Sequence, residues 1–156
     1  MTNSRYILKS ESINEMKGDA RTHFLNPRAK RIRKTISTKV GLENIGVHIV
    51  YVESGNESTE HHKHYDEEEC FYILSGEGTL RIGDKNYAIG EGDFIGFPAD
   101  TAAHSIINTG TAVLIILVIG QRLKQDIADY PLKKKRLYRH DDKWDLVDWE
   151  NINDPR

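Results

Sequence analysis

From Gly41 to Gly120, short runs rich in Val, Ile, Tyr and Phe alternate with Gly, Asp and Asn at roughly 8–12-residue intervals. No apolar repeat of helical period interrupts this rhythm. It restricts the segment to an all-β sandwich or barrel. The expected strands are Gly46–Glu53, Glu68–Leu74, Gly78–Ile82, Lys85–Ala88, Phe94–Phe97, His104–Asn108 and Ala112–Ile119. Gly83-Asp84 reads as a tight hairpin connection, and Asn108-Thr109-Gly110-Thr111 as another turn.

The flanks have a different character. Residues 1–40 are polar and read as a partly ordered arm, with a basic cluster at Arg28, Lys30, Arg31, Arg33 and Lys34 read as a solvated surface. Residues 121–156 read as a charged tail. Its Trp144 and Trp149 are expected against the barrel wall or a second subunit, because indoles left in water are costly. With 156 residues, one domain is expected. The balance of 22 Lys+Arg against 24 Asp+Glu draws the chain to neither nucleic acid nor an anionic membrane, so the expected partner is a small molecule. A single cysteine, Cys70, excludes an intrachain disulfide and fits a reducing, cytoplasmic setting. The polar N-terminus is unlike a secretory signal, and the apolar run Ala112–Ile119 is too short to span a bilayer.

The chemistry concentrates at His61-His62-Lys63-His64-Tyr65-Asp66-Glu67-Glu68-Glu69, which carries three imidazoles and four carboxylates in nine residues. Side chains alternate across a strand, so His62 and His64 share a face while His61 and Lys63 point the other way. Counting back in twos from Ile73 through Phe71 puts Glu69 inward and leaves Glu68 and Cys70 outside. His104 opens a later apolar strand and projects inward with Ile106 and Asn108. Three imidazoles and one carboxylate suit one divalent transition metal ion (Fe, Mn, Ni, Co or Zn) and leave coordination positions open. The bland alternative is a polar loop.

Residues 55–76 carry Gly55, His62-Lys63-His64, Glu69 and Gly76, and residues 92–108 carry Gly92, Pro98, His104 and Asn108. In order and spacing these resemble the two motifs of the cupin superfamily, with one extra residue ahead of the first histidines. The resemblance covers roughly residues 41–131. It extends to Asn44-Ile45-Gly46-Val47 and Asp129-Tyr130-Pro131, which are similar to segments of small single-domain cupins that lend no reaction of their own. It implies a double-stranded β-helix, or jelly-roll, barrel at 41–120 between the arm and the tail, and ligand roles for His62, His64, Glu69 and His104. The second motif departs from the pattern: glycine is usual where Asp100 stands, and one more residue precedes His104.

Among the remaining residues, the glycines are read as turn formers, Pro98 as fixing the turn that aims His104, and Asn108 as either a strand-end residue or a polar group near the pocket. Phe71, Tyr72, Phe94 and Phe97 are read as core, with Tyr51 or Tyr72 as an alternative ligand contact. Cys70, beside carboxylates, reads as a poor nucleophile. Two functions stay open. One is a metal-dependent enzyme of isomerase, lyase or dioxygenase type acting on a small carboxylate, sugar or carbonyl compound, with Glu69 as candidate base. The other is a non-catalytic binding or sensing module on the same barrel. A metal-free structural barrel is a third, weaker reading. The long arm and the Trp-bearing tail suggest a homodimer.

Overall fold

A computed structural model describes residues 4–156. In chain order the strands are β1 (Asp19–His23), β2 (Asn26–Thr35), β3 (Ile45–Val52), β4 (Lys63–His64), β5 (Glu69–Ser75), β6 (Glu77–Ile82), β7 (Lys85–Gly90), β8 (Phe94–Phe97), β9 (His104–Ile107), β10 (Leu114–Gln121), β11 (Gln125–Tyr130), β12 (Lys135–His140) and β13 (Lys143–Asp148). One short helix, α1 (Ser10–Glu15), precedes them. Among the described residues, no helix is long and apolar enough to cross a membrane.

The strands form a six-stranded sheet in the order β1-β2-β3-β10-β5-β8, a three-stranded sheet β7-β6-β9 and a four-stranded sheet β13-β12-β11-β4. The first two face each other as a jelly-roll barrel. Their inward side chains Val50, Val52, Phe71, Ile73, Leu80, Ile89, Phe97, Ile106, Leu114 and Ile116 form one buried cluster. The period-2 pattern fixes these choices, since slipping a strand by one residue would send its apolar set into water. Phe71 and Ile73 are buried while Tyr72 and Leu74 between them are exposed.

Turns hold the sheets in register. Gly83 takes a positive φ of 54° in the β6–β7 hairpin, where Ile82 pairs with Lys85. Gly76 has φ 87°, and a Cβ there would lie 2.8 Å from the Val113 carbonyl, so both conformation and space demand glycine. Asn108 is fully buried. Its amide donates to the carbonyls of Val52 (2.7 Å) and Ala112 (2.8 Å) and accepts from the Gly110 N–H (3.0 Å). Of its two readings, the strand-end role is the one observed.

Strand structure extends beyond Gly41–Gly120 on both sides. The β1–β2 hairpin joins the large sheet through pairing of Ile32–Thr35 with Tyr51–His48. After β10, strands β11–β13 meander antiparallel, and β11 reaches β4 by pairing Ala128 with His64 and Asp129 with Lys63. Ala128, Tyr130 and Leu137 form a second small core, with Leu25 packed against it.

Asp129 anchors this junction. It is buried and accepts from Arg136 at 2.7 and 2.9 Å and from the Tyr65 hydroxyl at 2.8 Å. Burial alone would raise its pKa, but the bonds from Arg136 and Tyr65 outweigh that and hold it below the ordinary value. A depressed carboxylate stabilises the fold above its unfolded pKa, and the gain disappears as pH falls through the folded pKa. Asp129→Asn is therefore expected to cost about 2 kcal/mol at pH 7. The gap to the parent should close below about pH 4, as urea titrations across pH would record; a gap independent of pH would refute this role.

Two expectations are corrected. Tyr72 and Phe94 are not core residues: they are 42% and 69% exposed on the outer face of the large sheet, because they alternate out of register with Phe71 and Phe97. Trp144 does not pack on the barrel wall: it is 58% exposed on β13, beside the Arg139 guanidinium 5.4 Å from its ring centroid, which leaves the second subunit of its two expected partners.

Candidate metal centre

The histidine run enters β4 from an irregular segment in which His62 exchanges two backbone hydrogen bonds with His104 (3.0 and 2.8 Å). This bridge joins the two sequence motifs. The His62 Nδ1 donates to the Glu60 carbonyl at 2.9 Å, which fixes the tautomer and leaves Nε2 free. That Nε2 lies 3.8 Å from Glu69 Oε2, and His104 Nε2 lies 3.3 Å from the same oxygen. His62, Glu69 and His104 thus offer ligand atoms within 4.8 Å of one another. The His104 ring is stacked on Phe97, with centroids 3.7 Å apart and planes 6° from parallel, so its direction is set by packing. Burial and the neighbouring imidazoles hold the His62 pKa well below its ordinary value, which keeps it in the neutral form that binds a metal.

His64 lies beside this trio, its ring 4.9 Å from that of His62. Its Nδ1 is 2.6 Å from Asp126 Oδ2 on β11. Burial disfavours the His64 cation, but the Asp126 bond and the charges of Glu69, Asp126 and Glu67 outweigh it and raise the pKa. Asp126 is held low by His64 and by the backbone N–H groups of Asp66 and Glu67, against its own burial. Glu67 is engaged by the Leu123 N–H and by Arg139. Both Asp126 oxygens are thus committed to protein donors, an arrangement that orients the imidazole through its Nδ1, while Glu67 Oε2 lies 4.0 Å from that nitrogen. The structure brings together two imidazoles and one carboxylate, from His62, His104 and Glu69, a donor set that fits a divalent transition metal, whereas His64 groups with Glu67 and Asp126 beside them.

The departure at Asp100 is absorbed locally. Asp100 adopts φ 54°, a left-handed conformation that glycine enters most easily. Its N–H donates to the His64 carbonyl at 2.9 Å, and its carboxylate accepts from Lys63 at 2.7 Å. The turn that aims His104 is thereby tied to the strand bearing His64. His104 itself is 2% exposed.

Residues 48–120 match the family model described as a cupin domain. A crystal structure from Acidithiobacillus ferrooxidans, of a protein provisionally named a sugar phosphate isomerase, is 50% identical, with 97% of each chain covered and a TM-score of 0.94. The chain is a cupin. A cupin-superfamily sugar phosphate isomerase from Silicibacter pomeroyi shares the fold at 23% identity, covering 93% of this chain and 94% of that one, with a TM-score of 0.79. An uncharacterised protein of Methanocaldococcus jannaschii is 41% identical over 56 residues, which span 36% of this chain and 44% of that protein.

Inside this cupin, His62 and Glu69 open into a cavity of about 190 Å³ whose other walls include Arg31, Arg33, His48, Ser58 and Thr59. The reading of the whole basic cluster as a solvated face is corrected here. Ala29, Arg31 and Arg33 share one face of β2 and are buried or half-buried, while Lys30 and Ile32 point out. The signal lay in the alternation of residues 29, 31 and 33, but a polar inner face leaves no mark on a hydropathy pattern. His48 was missed for the same reason. Its Nδ1 is 3.0 Å from Thr35 Oγ1, and burial with Arg33 and Arg122 lowers its pKa to about 4. Asp126 had no sequence signal, since it sits 62 residues from His64. Cys70 is half-buried, and burial together with Glu69 raises its pKa, in keeping with a poor nucleophile.

Proposed function

We propose that the cupin is a metal-dependent isomerase of a small phosphorylated sugar, with one divalent ion held by His62, His64, Glu69 and His104. The observation that carries this is the placement of an imidazole–carboxylate cluster at the wall of a cavity inside the barrel that is charged on one side and apolar on the other. The likeness to the Acidithiobacillus protein over nearly the whole chain supports the reaction class. The cavity is smaller than the roughly 300–1,000 Å³ usual for drug-sized ligands, which favours a substrate of few carbons.

An aldose–ketose interconversion moves one proton between adjacent carbons and another between their oxygens. A bound ion would polarise those oxygens as a Lewis acid. The chain must supply the rest. His48, neutral at pH 7, and Glu69 are the cavity groups able to accept a proton, and the barrel walls Phe71, Ile106, Ile116 and Val118 keep water from the reacting carbons. Incubation with triose, tetrose and pentose phosphates in D2O tests this. Interconversion with deuterium entering at carbon 1 of the ketose or carbon 2 of the aldose, stopped by a chelator and restored by metal, is the expected result. Ligand binding without any exchange would overturn it in favour of a sensing module.

We also infer a homodimer through the outer face of the large sheet, where Ile45, Tyr72, Leu74 and Phe94 are exposed together. Exposed apolar surface gathered on one face of a sheet marks a protein interface. Light scattering at micromolar concentration should give twice the 17.9 kDa chain mass, and a monomer mass would contradict the inference.

A further inference from the structure

We propose that Arg31 and Arg33 of β2 form the subsite for the phosphate group of the substrate; the identity of that substrate rests on the isomerase reading, the subsite on the arginines themselves. Both side chains line the cavity that contains His62 and Glu69. Several other arginines are compensated: Arg136 pairs with Asp129, Arg139 with Glu67, Arg81 with Asp84 and Arg28 with Glu57, while Arg122 donates to the Ser37 hydroxyl. Among the described residues, neither Arg31 nor Arg33 forms an ion pair. Arg31 donates to the Ser58 carbonyl, and the Arg33 Nε is buried with no hydrogen-bond partner. Of the nearby carboxylates, Asp19 stands opposite Arg33 in the β1–β2 ladder and is engaged by Arg21 at 3.4 Å, and Glu69 lines the same cavity beside His62. Arg21 in turn stands opposite Arg31, so three guanidinium groups share this face with one carboxylate.

Such an arrangement is costly when empty. Burial and the repulsion of Arg33 and Arg21 weaken Arg31's hold on its proton, and burial and Arg21 do the same to Arg33, yet both remain charged at neutral pH. A bound anion removes the repulsion and gives the orphaned Nε an acceptor. The planar guanidinium fork matches the oxygens of a phosphate in paired hydrogen bonds. A dianion matches two uncompensated charges better than a carboxylate does. With the phosphate at β2 and the ion at β4, β5 and β9, a sugar phosphate would lie across the cavity with its carbonyl end toward the metal.

The test is titration of inorganic phosphate into the purified holoprotein and its Arg31→Gln, Arg33→Gln and Arg33→Lys variants, read by calorimetry beside metal content and melting temperature. Saturable phosphate binding is expected in the parent, weakened at least tenfold by either Gln change and partly retained by Lys, with metal content unchanged. Acetate should bind at least tenfold more weakly. Absent phosphate binding in the parent, equal binding in folded Gln variants, or acetate binding as tightly as phosphate would overturn the subsite. Its failure is distinguishable from failure of the isomerase reading. Phosphate binding that depends on the arginines, with no sugar phosphate turned over, would leave the subsite standing and remove the isomerase. Turnover with KM unchanged in Arg33→Gln would do the reverse.

Discussion

Asn108→Ala is expected to lower the stability of the protein by about 3 kcal/mol, since each buried polar group left unpaired costs about 1–3 kcal/mol. The Asn108 amide closes the end of β3 at Val52 onto the turn at Gly110 and Ala112. Its removal strands two carbonyls and one N–H in a place from which water is excluded. At roughly 2–4 °C per kcal/mol for a chain of this size, the melting temperature should fall by about 10 °C. Asn108→Asp should be at least as damaging, because it sets a carboxylate against the Val52 and Ala112 carbonyls. Calorimetry on both variants checks this, and a shift of under about 2 °C would mean that the amide does not hold the barrel end together.

Asp126→Ala and Asp126→Asn should each weaken metal binding about 10–100-fold, the usual effect of losing an orienting partner behind a metal-bound imidazole. The Asp126 carboxylate fixes His64 through Nδ1 and is itself positioned by the Asp66 and Glu67 N–H groups at 3.2 and 3.3 Å. The Asn variant preserves shape and removes charge, so it separates orientation from packing. Competition against a chelating dye gives the affinity. Unchanged affinity in both variants would show that His64 takes no part in holding the ion. It would leave His62, Glu69 and His104 as the cluster.

Much of the barrel was legible because its strands are half-buried: Phe71 and Ile73 alternate with Tyr72 and Leu74, and the expected strands agree with the observed ones to within about two residues at each end. The same alternation brought Glu69 and His104 to the inner face. Strand structure outside this stretch was hidden for different reasons. In β2 the inward residues beyond Ala29 are arginines, so the face toward the cavity looks as polar as the face toward solvent. In β12 and β13 the sheet is largely exposed, and segments such as Lys135–His140 carry charge on both sides with only Leu137 buried. The turn between them is made by Asp141 at φ 52°, without the glycine that usually announces a hairpin. Tyr72 and Phe94 are read as core by residue type, whereas the alternation with Phe71 and Phe97 turns both outward as a cross-strand pair. Asp126 belongs to tertiary structure, as only the return of β11 to β4 brings it to His64.

We propose one divalent ion on His62, His64, Glu69 and His104. Elemental analysis of protein purified without a metal-affinity tag, beside His62→Ala and His104→Ala, tests it most directly. One transition metal per chain in the parent, lost in both folded variants, is the predicted result. No metal in the parent, with none taken up on reconstitution, would contradict it.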